Sequence, residues 1–183
     1  MGLLLTASSR LISQKLQSAG GRGLHVVHGP RGLSRWALEA ICPLLETICP
    51  LYWVDAANRF DAHALSKRAR ELGMDPRAVL SRIQLARAFN GFQLAALVQG
   101  VARRPPHPVV LADPLAPFHD GDFPLEDARR AFRGLLQGLA DVPGPVLALV
   151  VDRSVPPQRE EFSSRLLKIA RSVIPVQCPI LEN

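Results

Sequence analysis

Four short apolar runs, Leu24–His28, Leu51–Val54, Pro108–Asp113 and Pro145–Val151, are each followed by a loop, and the first three also by a segment of helical spacing. Runs of this length with little polar alternation are buried on both faces. That is the signature of parallel strands covered by helices on each side. A fifth run, Arg82–Arg87, alternates, with Ile83 and Leu85 on one face and Arg82 and Gln84 on the other. Strands alternating with helices predict an α/β chain with a doubly wound, mostly parallel sheet. One domain is expected over residues 1–183, with residues 1–7 outside the packed part.

Helix boundaries are written in the loops. Asp61 caps a helix over Ala62–Leu72 that stops at Gly73, and Asp75-Pro76 starts a short second one. A helix from near Ser34 toward Thr47 must bend or end at Pro43. Gly91–Ala102 and Leu125–Ala140 are further helices; Phe92, Ala95, Ala96 and Val98–Val101 are expected to be largely buried. Ser8 or Ser9 caps an early helix reaching Ala19, with Leu11, Ile12 and Leu16 on its packed side. Arg165–Ala170 fits either a strand or a helix.

The hydrophobic content is 48%, the charged content 21%, and no apolar run approaches the roughly 20 residues of a membrane span. Net charge is +6, unevenly placed: residues 1–104 carry +8 and residues 105–183 carry −2. A basic half suits a polyanion or an acidic partner. Three cysteines, each before a proline (Cys42, Cys49, Cys178), lack metal-type spacing and form no disulfide framework. An intracellular setting, nuclear or cytoplasmic, is expected. Met1–Thr6 fits a loose myristoylation pattern, and no acidic residue precedes Glu39, as in a mitochondrial leader. Cys-Pro pairs can also respond to haem, but a small half-buried thiol serves equally well.

The segment from His28 to Trp36 places a glycine-containing loop between a strand and a helix, where a phosphate-cradling P-loop, G-x-x-x-x-G-K-[ST], belongs. Two alignments are open. At full length Gly29 is the first glycine, Ser34 replaces the second, Arg35 replaces the lysine and Trp36 the hydroxyl residue. With a loop two residues shorter, Gly32 is the second glycine, Leu33 replaces the lysine and Ser34 keeps the hydroxyl. Neither retains the lysine. The alternative is a loop that only joins strand to helix. Asp113, at the end of the third run, has the position of a carboxylate that holds Mg²⁺.

Leu51–Asn90 carries a further pattern. A strand ends in Tyr52-Trp53-Val54-Asp55 and is followed by Phe60, and one helix later comes Ala86-Arg87-Ala88-Phe89-Asn90. This resembles the core ATPase domain of the RecA/RadA recombinase superfamily, in which a Y-x-D-T-E-G-x-F strand end precedes an A-R-A-F-N segment. The likeness runs in order over residues 8–177. It implies a RecA-like fold, a role in homologous recombination and DNA repair, and ATP and Mg²⁺ as ligands. The nucleotide would meet Gly29, Arg31, Gly32, Ser34 and Arg35, and the metal Ser34 and Asp113.

The family's water-activating glutamate aligns with Ala57, which cannot polarise water. With the lysine also missing, the resemblance implies a non-catalytic, recombinase-paralogue-like module that works as a scaffold or regulator. Its partner would be a recombinase-like or other DNA-repair protein, in a hetero- or homo-oligomer. Two alternatives stand beside it: an ATP-binding or slow ATPase subunit with an atypical loop, and a basic DNA-binding module without nucleotide. For DNA the candidates are Arg103, Arg104, Arg153 and Arg159. The segment Val155–Phe162 stands where the family has a flexible DNA-facing loop, but it is short and holds Glu160 and Glu161.

Overall fold

The computed structural model of the chain describes Ile12, Gln14, Leu16 and residues 22–47 and 50–176. Six strands form one sheet: β1 (Gly23–Gly29), β2 (Leu51–Asp55), β3 (Ile83–Arg87), β4 (Val109–Ala112), β5 (Pro145–Val151) and β6 (Ser172–Pro175). Their order is β3-β2-β4-β5-β1-β6, and every pairing is parallel.

Helices cover both faces. On one lie α1 (Leu33–Ile41), α2 (Ala62–Glu71) and α3 (Pro76–Ser81); on the other lie α4 (Gly91–Ala102), the short α5 (Ala116–His119), α6 (Leu125–Asp141) and α7 (Glu160–Ile169). The strand period of two divides the core accordingly. Val26, Val54, Leu111 and Ala148 pack under α4, α6 and α7, whereas Val27, Trp53, Val110 and Leu149 pack under α1 and α2. The chain runs outward from β1 through β2 to β3 along one face. It then returns through β4 and β5 to β6 along the other, so loops leaving neighbouring strands diverge above their carboxyl ends. Such a divergence opens a crevice there.

The caps expected at Asp61, Gly73 and Asp75 are present, and the one expected at Ser8 or Ser9 lies outside the described residues. Asp61 accepts from the Ala64 amide at 2.8 Å, Asp75 accepts from Arg77 and Ala78, and Gly73 ends α2 at φ +73°. Asn90 adds a cap on α4, accepting from the Gln93 amide at 2.9 Å. At Pro43, α1 gives way to a 3₁₀ turn over Cys42–Leu44, as the proline requires.

Other details differ. Phe92, Ala96 and Gly100 of α4 are exposed, because α4 packs on the sheet and α6 mainly through Leu94, Ala95 and Val98, with Leu97 and Val101 half-buried beside them and Gln99 lying against α6. Leu85 is 39% exposed, since β3 is an edge strand. Arg165–Ala170 is helical up to Ile169, and the flexible loop expected near Val155–Phe162 is a 3₁₀ turn (Pro157–Arg159) running straight into α7. Ile12 and Leu16 are helical and buried in the α1 face of the core. Cys49, Cys178 and the Met1–Thr6 motif lie outside the described residues. Cys42 is buried, and burial pushes its thiol pKa up.

Candidate functional site

The loop after β1 is short. The strand ends at Gly29 and α1 begins at Leu33, leaving Pro30, Arg31 and Gly32 between them. The spacing excludes the full-length alignment: Arg35 belongs to the first turn of α1 and pairs with Glu39 at 3.3 Å. The loop length suits only the shorter alignment, in which the fully buried Leu33 aligns with the phosphate lysine of the motif; a loop that only joins strand to helix has the same length. Gly32 caps α1 at φ +96°, in the left-handed region that favours glycine. Gly29 is needed for close approach, since a Cβ there would lie 2.6 Å from the Val176 carbonyl oxygen.

The geometry still leaves donors. The Leu33 amide turns back to Pro30 O at 3.3 Å, but the Ser34 and Arg35 amides precede any intrahelical acceptor. The Ser34 hydroxyl, 4% exposed, has no hydrogen-bond partner.

Asp113 sits at the end of β4 with φ +54°, a conformation few non-glycine residues adopt and one that collects at functional sites. Its amide donates to Leu149 O at 2.8 Å, which fixes it beside β5. The carboxylate is 1% exposed. Its Oδ2 accepts from the Arg153 guanidinium, and its Oδ1 has no partner. Burial pushes the carboxyl pKa up, and the adjacent Arg153 offsets part of that rise.

Asp55, at the end of β2, is fully buried and spends its carboxylate on the following loop. Oδ1 accepts from the amides of Ala57 (3.3 Å) and Arg59 (3.1 Å), and Oδ2 accepts from Phe60 (2.9 Å). Arg87 lies 3.9 Å away. Asp55 therefore holds the loop and is not free to orient water, nor is Asp61, which caps α2. Ala57, which the resemblance aligns with a water-activating glutamate, presents only a methyl group to the cavity.

These elements surround a cavity of about 540 Å³ at the carboxyl ends of the strands. It is lined by Arg31, Gly32, Ser34 and Arg35 from the first loop and helix, and by Ala57, Arg59 and Asp61 from the loop after β2. Asp113, Ala116 and residues 151–154 complete it. Gly29 shapes the loop without lining the cavity. The side chains of Arg31 and Arg59 have no ion-pair partner among the described residues. Sequence reasoning missed Arg59, and it placed Arg153 on DNA; only the strand order, which sets β5 beside β4, reveals that Arg153 reaches Asp113.

The residues present do not fit the implied Mg²⁺. That ion takes oxygen ligands in near-octahedral array, and here Asp113, the buried carboxylate that lines the cavity, is already paired with a guanidinium. No group of three or more His, Cys, Asp or Glu side chains able to hold a metal occurs among the described residues.

The four arginines expected on nucleic acid are not brought together. Arg103 and Arg104 follow α4 and precede β4, at the amino ends of the strands; they are exposed, with Arg104 over the Tyr52 ring at 5.7 Å. Arg153 and Arg159 follow β5, at the opposite end. Arg159 is 4% exposed and donates to the carbonyls of Phe118 (2.7 Å) and Phe123, so it pins α5 and its loop and does not reach a phosphate. Among the described residues, no helix is long and apolar enough to cross a membrane.

A scan against protein-family models found no match to the chain, and a search of curated proteins found none either.

Proposed function

We propose that the chain is a non-catalytic RecA-like module that acts as a scaffold or regulator in homologous recombination and DNA repair, through protein partners inside the cell. The observation that carries the non-catalytic part is the state of the three positions on which hydrolysis depends. Leu33 stands for the lysine, Ala57 for the glutamate, and Asp113 is tied to Arg153. Each such group contributes orders of magnitude to a phosphoryl-transfer rate. Leu33 opens α1 just after the first loop, and Ala57 and Asp113 line the cavity from two other loops. The recombination role rests on the Leu51–Asn90 resemblance and on the strand order that places its two motifs on adjacent strands.

The expected partner is a recombinase-type ATPase from the same cells. Size-exclusion chromatography of the purified pair tests this. Co-elution that survives Asp113→Asn in this chain supports a scaffold that needs no nucleotide site. Separate elution at concentrations of about 10 µM, where contacts of ordinary interface size persist, counts against it.

A further inference from the structure

We infer that the cavity is a metal-independent phosphoryl-binding site, in which the Arg153 guanidinium takes the place of a divalent cation beside Asp113. The inference rests on the same short loop and Asp113–Arg153 pair as the non-hydrolysing reading, but not on the scaffold role.

Several independent observations meet in this cavity. Its floor is the N-terminus of α1, a nine-residue helix whose Ser34 and Arg35 amides have no intrahelical acceptor and whose dipole favours an anion. Beside those amides the Ser34 hydroxyl is buried and unpartnered, a donor not committed elsewhere. Arg31 and Arg59 line the same space without ion-pair partners among the described residues.

Three carboxylates line the cavity: Asp61 caps α2, Asp113 faces Arg153, and Asp152, 59% exposed, stands at the solvent edge 3.3 Å from His28 Nδ1. A guanidinium offers five N–H donors, and a carboxylate contact through one terminal nitrogen leaves others for a phosphoryl oxygen. Arg153 therefore does two things that a bound magnesium would do: it neutralises the buried aspartate and presents positive charge to the ligand. A cation entering from solvent would have to displace it.

The shared chemistry is a terminal phosphoryl group, carried by a nucleotide or by an inorganic polyphosphate. The test is calorimetric titration of the full chain with ATP and with sodium triphosphate, each in EDTA and each with excess MgCl₂. Saturable binding in EDTA is expected, unchanged or weakened by magnesium, which competes for the phosphoryl charge. Equal affinity for both probes assigns the site to the phosphate chain alone; tighter ATP binding adds a base contact, and either outcome supports the inference.

Ser34→Ala, which removes only the free hydroxyl, is expected to weaken binding by about 10- to 100-fold, the worth of one hydrogen bond to a charged group. Arg153→Met is expected to weaken it by at least about 10-fold in EDTA, with circular dichroism verifying that the variant is folded. Binding that requires magnesium, or no heat from either probe at millimolar concentration in EDTA, overturns the inference. Neither result bears on hydrolysis, so the non-catalytic reading fails or stands separately.

Discussion

Arg153, two residues beyond the end of β5, donates from its guanidinium to Asp113 at the end of β4, so the buried carboxylate that the resemblance assigns to a metal already has a fixed counter-charge. The contact is possible because β4 and β5 are parallel neighbours in register, with Ala112 opposite Leu149. Asp113 is buried, while Arg153 remains 29% exposed. Removing the arginine strands a buried carboxylate. Arg153→Met is therefore expected to cost about 2 kcal/mol in urea unfolding, below the full value for a wholly buried pair because the arginine is partly solvated. The double variant Arg153→Met/Asp113→Leu should recover most of that loss. A single variant as stable as the parent would show that the pair is not coupled.

His119 makes acid stability a second test. Its Nδ1 is buried without a partner, its Nε2 lies 3.2 Å from the Ser163 hydroxyl, and burial beside Arg153 and Arg159 lowers its pKa to about 4. The folded state thus binds the proton more weakly than the unfolded chain, whose histidine titrates near 6.5. Its contribution is present above pH about 6.5 and is lost as the pH falls toward 4, on the order of 3 kcal/mol at most. His119→Gln should flatten that part of the stability–pH curve. An unchanged slope between pH 6.5 and 4 would contradict the assignment.

Arg159→Ala should destabilise the chain and leave DNA affinity alone. The guanidinium satisfies the carbonyls of Phe118 and Phe123 inside the fold. Its loss leaves buried acceptors unpaired, at about 1–3 kcal/mol. A reduced salt slope in a DNA-binding titration, with unchanged thermal stability, would return Arg159 to the surface role that its sequence position suggested.

Asp55→Asn keeps the shape of the side chain but converts one accepting oxygen to a donor that faces an amide. The carboxylate accepts from Ala57, Arg59 and Phe60. A cost of about 2 kcal/mol is expected, together with faster amide hydrogen exchange over residues 57–60. Protection like that of the parent would mean that the loop is held by other contacts.

The fold was largely legible because its signals are local. Apolar runs such as Val146–Leu149 need burial on both faces, and Asp61, Gly73, Asp75 and Pro76 mark helix ends through their own backbone chemistry. The site was legible only where it follows one loop. Gly32, Ser34 and Asp113 could be placed by order along the chain. The pairing of Arg153 with Asp113, 40 residues apart, depends on strand order, which no local pattern encodes. Arg159 was misplaced for a related reason. Its neighbours Pro156, Pro157 and Glu160 read as surface, while the carbonyls that bury it belong to a loop about 40 residues earlier. The exposed face of α4 shows the limit of periodicity, since an almost wholly apolar helix does not declare which side it packs.

The deciding measurement is steady-state hydrolysis of radiolabelled ATP by the full chain, with magnesium and with or without single-stranded DNA. Phosphate release no faster than the protein-free blank is expected, the same for Asp113→Asn as for the parent. Magnesium-dependent release that Asp113→Asn abolishes would show that the chain is an ATPase after all.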